Sequence, residues 1–172
     1  QVDTSEYNPT ECIKTNINGT ENLISVAREN GIKKFLLLST DKAVNPINNM
    51  GFSKMLAELF LKSYFNTKTL NTKIIRFGNV INSNGSVVPV FIDNIQNGAI
   101  LEVRGEDVER YFMAIPEAAQ LVIQSSNIAK GGEVFVLGMG NRIKIYDLAI
   151  KMINLLGLKV KDKDNPSGDI SI

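Results

Sequence analysis

Hydrophobic positions along the chain follow two patterns. Apolar runs without alternation at residues 34–39 and 73–77 predict strands buried on both faces of a parallel sheet, and shorter runs predict strands at 101–103 and 133–137. Elsewhere, apolar residues recur at helical spacing, and Gly or Pro marks several of the ends. This spacing predicts helices between Pro9 and Gly31, through about Phe65, and over residues 87–95, 116–123 and 145–156.

The alternation of strand, loop, helix and strand predicts a doubly wound, Rossmann-like α/β fold. Such a sheet binds its ligand at the carboxyl ends of its strands, so the loops after Leu38 and Phe77 are the expected place for chemistry. The Gly-x-Gly sequence at 138–140 has Ile143 where a dinucleotide-binding turn has its third glycine. We therefore expect the chain to be a piece of a longer protein, with the strands and turn that bind a dinucleotide upstream of Gln1.

The composition and net charge of the chain exclude several classes of function. The chain has 172 residues, of which 44% are hydrophobic, and a net charge of +1, so it offers no basic footprint for nucleic acid. It has no His, which excludes His-based triads and the commonest zinc sites, and we expect no metal. The single Cys12 excludes an internal disulfide.

Chemically active side chains gather after the first predicted strand. Residues 39–42 read Ser-Thr-Asp-Lys, and residues 50–54 read Met-Gly-Phe-Ser-Lys where the next helix begins. Hydroxyl groups, one carboxylate and two ammonium groups therefore converge on a strand-to-helix loop, where partial burial is costly for charged groups. From spacing alone, a solvated turn with Asp41 as a cap and Lys54 along the helix surface is an equal alternative.

The same residues resemble a known family. Asn16, residues 19–22, 37–46, 50–54 and 76–80 resemble the extended short-chain dehydrogenase/reductases, and most of all the nucleotide-sugar 4,6-dehydratases of the CapD-like polysaccharide-biosynthesis branch. Residues 85–89, 110–113 and 131–136 continue the likeness. The resemblance implies that residues 1–82 form the second half of an NAD-binding Rossmann domain with the catalytic loop. Residues 83–172 then form mainly a small sugar-nucleotide-binding region, with some segments returning to the sheet.

The resemblance also implies a reaction. UDP-N-acetylglucosamine, a UDP-N-acetylhexosamine, is dehydrated to a 4-keto-6-deoxy sugar nucleotide, with tightly held NAD recycled in each turnover and NADP as the alternative cofactor. Lys42 is then the base that removes the C5 proton, which requires a pKa near neutrality, and Asp41 is the acid that protonates the departing 6-hydroxyl. Thr40 would hydrogen-bond the 4-hydroxyl, and Lys54 would hold the nicotinamide ribose.

One catalytic position departs from the wider family. That family has a Tyr-x-x-x-Lys pair, whereas this chain has Met50 four residues before Lys54. A thioether cannot exchange a catalytic proton, so we expect Met50 to supply shape. A literal Tyr-x-x-x-Lys occurs at Tyr64 and Lys68. It falls at the far end of a predicted helix, and we read Tyr64 as a packing aromatic.

The remaining expected site residues bind cofactor or substrate. Asn16, Ser39 and Phe77 join Lys54 as cofactor residues, with Asn16 alternatively forming only a helix-interior hydrogen bond. For the substrate pyrophosphate, we expect the side chains of Asn79 and Arg110 and the backbone amides of Gly85, Ser86 and Val87 at a helix start. The alternatives are a turn-forming Asn79 and a surface ion pair of Arg110 with Asp107 or Glu109.

Two other functions stay open. A 4-epimerase would share the oxidation at C4 but would not need an acid and a base that reach C5 and C6. A non-catalytic sugar-nucleotide-binding module would keep the fold without turnover. For the dehydratase we expect a cytoplasmic homo-oligomer, which would lie on the cytoplasmic face of the inner membrane if an N-terminal membrane region precedes the chain.

Overall fold

A computed structural model describes residues 2–65, 70–83, 85–128 and 130–172. The chain divides into two compact units, one formed by residues 1–78 and 116–138 and the other by residues 79–115 and 139–172. The helices, in chain order, are α1 (Val2–Tyr7), α2 (Pro9–Ile13), α3 (Gly19–Glu29), α4 (Asn49–Lys62), α5 (Val87–Gln96), α6 (Ile115–Ile128) and α7 (Ile145–Leu155). The strands are β1 (Lys34–Thr40), β2 (Asn71–Phe77), β3 (Asn79–Val80), β4 (Glu109–Arg110), β5 (Phe112–Met113), β6 (Val134–Val136), β7 (Ile143–Lys144), β8 (Val160–Lys161) and β9 (Ile170–Ser171). A π-helical turn (Lys14–Asn18) joins α2 to α3, and a 3₁₀ turn (Asp41–Ala43) follows β1.

The first unit contains a three-stranded parallel sheet in the order β1-β2-β6. Residues of β1, β2, α3 and α4 pack into one core, and Ile24, Leu61 and Ile74 in it are fully buried. This arrangement confirms the predicted strand-helix-strand unit and the α/β class. The predicted burial of β1 on both faces is wrong at Leu38, which is 46% exposed, whereas Leu37 on the opposite face of the strand is 8% exposed.

Helix boundaries in the first unit follow from capping. Gly31 has a φ of +67°, the left-handed conformation that ends a helix, and it stands just past α3. At the start of α4, the Asn48 side chain accepts a hydrogen bond from the Gly51 amide at 2.8 Å. This cap fixes where the chain leaves the loop after β1 and becomes helical.

The second unit has small two-stranded pairings instead of one sheet. β3 pairs with β5 and β8 with β9 in parallel, whereas β4 and β7 are antiparallel. Its core forms between α5 and α7 around Phe91, Leu101 and Ile153. The predicted strand at 101–103 is wrong: Leu101 is buried, but these residues join no ladder, and its amide donates to the Ser171 carbonyl.

Within the described ranges, no helix combines the length and the apolar character that a membrane crossing needs.

Candidate active site

The 3₁₀ turn after β1 presents three of the predicted catalytic residues. Thr40 caps the turn, since its hydroxyl oxygen accepts from the Lys42 amide at 3.3 Å. The same hydroxyl donates to Asp41 Oδ1 at 2.9 Å, and Lys42 Nζ reaches that oxygen at 3.3 Å. The side chains of Lys42 and Asp41 are 29% and 37% exposed. The ion pair is therefore held locally yet is accessible to a ligand.

The first turn of α4 packs closely against this 3₁₀ turn. A Cβ atom at Gly51 would lie 2.5 Å from the Lys42 carbonyl oxygen and 3.0 Å from Pro46 Cβ. The neighbouring Met50 is half-buried. From α1, Glu6 holds the helix start by accepting from the Asn49 amide at 2.6 Å. Only a residue without a side chain fits at position 51.

Lys54 lies one helical turn after Met50 and reaches the carboxyl end of β1. Its ammonium group donates to the Leu38 carbonyl oxygen at 3.2 Å. Burial lowers the pKa of Lys54, while the negative charges of Cys12 and Glu58 act in the opposite direction. The alternative in which Lys54 extends along the helix surface is wrong, because the amine contacts the strand.

A buried carboxylate next to Lys54 was missed by the sequence reasoning. Glu58 is 1% exposed, and its Oε1 accepts from Ser39 Oγ at 2.5 Å and from Arg76 Nε at 2.8 Å. Its Oε2 accepts from Arg76 Nη2 at 2.5 Å. Part of the pattern that indicates two buried charges is visible in the sequence. Glu58 stands between the apolar residues Ala57 and Leu61, and Arg76 follows an apolar run. Ser39, expected to contact the cofactor, directs its hydroxyl to this carboxylate.

Asn16 and Phe77, the other expected cofactor residues, belong to two different elements of the first unit. Asn16 belongs to the π-helical turn, and its amide donates to Ser53 Oγ at 2.8 Å and to Cys12 Sγ at 3.5 Å. It thereby contacts α4 one residue before Lys54. Phe77 ends β2 and is the register partner of Thr40.

The second unit contains the expected substrate-binding side chains. Asn79 opens β3, and its backbone N–H donates to the Tyr111 carbonyl at 3.1 Å. Arg110 is exposed on β4, and its Nη1 donates to the Glu109 backbone carbonyl at 2.8 Å. Asp107, the other candidate partner of Arg110, pairs with Lys144 at 3.3 Å.

The start of α5 holds the expected amide site. Gly85 has a φ of +69°, Ser86 is the N-cap and Val87 begins the helix. Ser86 makes no side-chain cap, and its buried hydroxyl has no hydrogen-bond partner among the described residues. The hydroxyl is thus available to a further acceptor or donor.

Tyr64, the tyrosine of the literal Tyr-x-x-x-Lys sequence, packs against other side chains of the first unit. Tyr64 follows α4, where its ring centre lies 5.5 Å from that of Phe60 and 5.4 Å from the Arg28 guanidinium carbon. These contacts are those of a packing aromatic. Lys68 lies outside the described residues.

Comparison with known proteins gives three informative relatives. Capsular polysaccharide biosynthesis protein CapD of Staphylococcus aureus is 49% identical over 91% of this chain and 26% of its own length. A UDP-N-acetylglucosamine 4,6-dehydratase (inverting) of Campylobacter jejuni is 37% identical over 92% of this chain and 48% of its own. A UDP-glucose 4-epimerase of Rickettsia canadensis is 38% identical over 79% of this chain and 41% of its own. The chain thus spans between a quarter and a half of these relatives.

Solved structures confirm the fold, and a family profile gives the affiliation. A double mutant of DesIV, a dTDP-glucose 4,6-dehydratase from Streptomyces venezuelae solved with NAD and DAU bound, matches with a TM-score of 0.87. It is 19% identical over 100% of this chain and 57% of its own, a likeness that concerns the fold alone. The profile described as polysaccharide biosynthesis protein matches residues 1–172. With CapD and the Campylobacter dehydratase among its relatives, the chain belongs to the polysaccharide biosynthesis protein family.

Proposed function

We propose that this chain carries the catalytic part of an NAD-dependent 4,6-dehydratase that acts on a UDP-N-acetylhexosamine, with UDP-N-acetylglucosamine as the first candidate. The product would be a 4-keto-6-deoxy sugar nucleotide for surface polysaccharide or glycan biosynthesis. The observation that carries the proposal is the partly exposed Asp41–Lys42 pair, placed at the carboxyl end of β1 together with the Lys54 amine. The relationship to CapD and to the Campylobacter dehydratase supports it.

The residues present fit one part of an NAD site. Lys54 donates to the Leu38 carbonyl at the strand end where doubly wound folds bind dinucleotides, so its amine is placed to meet a ribose hydroxyl. Phe77 ends the neighbouring strand, and Asn16 and Ser39 hold α4 and β1 behind the amine. When bound, NAD supplies oxidation of the sugar at C4 and the later return of the hydride at C6. NADP is the alternative cofactor.

Asp41 and Lys42 would share the elimination. A ketone at C4 makes the C5 proton acidic, and the Lys42 amine takes that proton after releasing its own. Asp41 in its protonated form donates to the departing 6-hydroxyl, which leaves as water. The shared contact at Oδ1 keeps the two groups next to each other, as a reaction at adjacent carbons requires. Thr40, now bonded to the same oxygen, would turn its hydroxyl toward the 4-hydroxyl.

Met50 occupies the position of the usual tyrosine without its proton chemistry. We propose that it fills space beside the sugar and that the proton of the 4-hydroxyl passes through Thr40 toward Lys54. The lowered pKa of Lys54 supports this route, because more of its amine is then in the neutral form that can accept the proton.

The second unit would bind the substrate pyrophosphate. The amides that begin α5 at Gly85, Ser86 and Val87 are suited to an anion, and the Ser86 hydroxyl, which has no hydrogen-bond partner among the described residues, adds a donor there. Arg110 is exposed and can pair with a phosphate in a bidentate manner, and Asn79 would donate from its amide. In this proposal, residues 1–82 bind the cofactor and carry the catalytic groups, and residues 83–172 mainly bind the substrate.

We further propose that the protein is a cytoplasmic homo-oligomer, since its substrates are cytoplasmic metabolites. Phe52, Leu56 and Leu59 form an apolar stripe on α4 and are 47%, 44% and 52% exposed. A second copy would cover this stripe. Sedimentation of the full-length protein should give an oligomer that Leu56→Lys dissociates, while Ile123→Lys, at an exposed apolar position on α6 outside this stripe, leaves it intact. A monomeric wild type would contradict this part.

The proposed reaction is tested by incubating the full-length protein with UDP-N-acetylglucosamine and measuring the product mass. Loss of one water supports a 4,6-dehydratase. An isomer of unchanged mass would identify a 4-epimerase, and unchanged substrate bound to the protein would identify a binding module.

A further inference from the structure

The Glu58 carboxylate joins three elements of the first unit at one point. It lies on α4, is 1% exposed, and accepts one hydrogen bond from Ser39 on β1 and two from Arg76 on β2. Ser39 and Arg76 are direct partners in the parallel register. The paired guanidinium donors form a bidentate contact, the geometry that best fixes a carboxylate in position and orientation.

This carboxylate lies one helical turn from Lys54, on the same face of α4. The strand residues that it binds are next to functional positions: Ser39 follows Leu38, whose carbonyl accepts from Lys54, and Arg76 precedes Phe77. Movement of α4 along β1 would therefore change the Lys54 contact and break the Glu58 bonds together.

A contribution to stability does not by itself explain why the Glu58–Arg76 ion pair is buried. Taking two charges out of water costs so much that apolar residues of similar size often stabilise a protein equally well. Glu58 has Ala57 and Leu61 as apolar neighbours on α4, and both are fully buried, so an apolar side chain would suit the position. What an apolar pair cannot supply is a fixed distance and angle between helix and strands.

We propose that Glu58, through Ser39 and Arg76, is a positioning residue that fixes Lys54 at the carboxyl end of β1. The proposal rests on the function proposed for Lys54 above. Glu58 itself touches neither substrate nor cofactor.

The kinetic test uses three variants of the full-length protein. Glu58→Gln should lower kcat for UDP-N-acetylglucosamine about 10- to 100-fold, the scale expected for a misplaced reacting group, with KM changed less than about twofold. The double variant Glu58→Met, Arg76→Met should recover thermal stability and keep the low kcat. Lys73→Met is the matched control, because Lys73 is a buried cation on the same strand that bonds the Ser126 carbonyl instead. It should keep its kcat, whether its stability rises or falls.

Two outcomes would overturn the proposal. One is a double variant whose kcat recovers with its stability, since Glu58 would then be only structural. The other is an unchanged kcat in Glu58→Gln. Both differ from failure of the proposed function, in which the wild type itself does not dehydrate the substrate.

A second readout does not depend on turnover. Lys54 faces the thiol of Cys12 from α2 and the carboxylate of Glu58 from its own helix. With lysines labelled by ¹³C-dimethylation and Lys54→Arg identifying the signal, Glu58→Gln should shift the Lys54 titration to lower pH. A titration that does not move would show that Glu58 does not act on Lys54.

Discussion

Gly51 and Lys42 approach so closely that a side chain cannot lie between them. A Cβ atom at position 51 would stand 2.5 Å from the carbonyl oxygen of Lys42, a separation that real Cβ atoms essentially never show. The contact is with backbone, which cannot rotate away as a flexible side chain does. The first turn of α4 is therefore packed directly against the turn that carries the proposed base.

Gly51→Ala should therefore displace the Asp41–Lys42 turn. We expect a loss of about 1–3 kcal/mol in the free energy of unfolding, typical of overpacking, and a reduced kcat. Chemical denaturation and product formation measure the two effects. Gly138→Ala is the control, because a Cβ there meets nothing within 4 Å. An active Gly51→Ala protein of normal stability would show that the turn yields easily.

Asp41→Asn and Lys42→Ala should each abolish elimination while NAD stays bound. Loss of a general acid or base lowers the rate roughly 10²- to 10⁴-fold. Product formation and cofactor content of the purified full-length protein are the measurements. Neutralising the exposed Glu11–Lys14 pair, with side chains 67% and 60% exposed, is the matched control and should change neither. Rates within a few-fold of wild type in the Asp41 and Lys42 variants would reject their roles.

Met50→Leu should retain a near-normal rate, because Met50 supplies volume and no proton at its place in the first turn of α4. Met50→Tyr should fold, since the wider family has Tyr there. Steady-state kinetics and thermal unfolding of both variants measure this. An inactive Met50→Leu protein that still binds NAD would show that the thioether has a specific role.

Acidic pH should lower the free energy of unfolding, in part because Glu58 becomes protonated. Burial raises the pKa of this carboxyl, but the hydrogen bonds from Arg76 and Ser39 outweigh burial and hold the pKa below its ordinary value of 4.5. A group of this kind stabilises the fold fully above that value, and the contribution is lost as the pH falls through the folded-state pKa.

Unfolding free energies of the wild type and Glu58→Gln, measured from neutral pH to below pH 4.5, test whether the Glu58 contribution is lost in acid. We expect Glu58→Gln to be about 3 kcal/mol less stable at neutral pH, and the difference to shrink as the pH falls below 4.5. The pKa of Glu133 is also lowered, but Glu133 is present in both proteins, so its contribution cancels in the difference between their unfolding free energies. A difference that is constant with pH would mean that the charge of Glu58 contributes nothing.

The sequence predicted the order of long elements because each buries a periodic or continuous apolar face. β1, α4 and β2 were found in this way, and Gly31 and Gly157 marked helix ends through their left-handed conformation. The two-residue strands β3, β8 and β9 could not be found, since two residues have no measurable period. At 101–103, the buried Leu101 was mistaken for part of a ladder, because burial alone does not require one.

The candidate site was predictable where its residues are adjacent in the chain, as in the Thr40–Lys42 turn. The Glu58–Arg76 pair was not, because its members are 18 residues apart and meet only through packing of α4 on the sheet. A charged residue in an apolar pattern indicates burial, but not its partner. The close approach of Gly51 to Lys42 likewise depends on tertiary packing.

The central claim is that the Asp41–Lys42 turn removes a proton from C5 of the sugar. Turnover of UDP-N-acetylglucosamine in deuterium oxide, analysed by NMR of the product, tests it most directly. We predict a 4-keto-6-deoxy product with solvent deuterium at C5 and none formed by Lys42→Ala. A 4-epimer without deuterium at C5, or a labelled product formed at full rate by Lys42→Ala, would contradict the account.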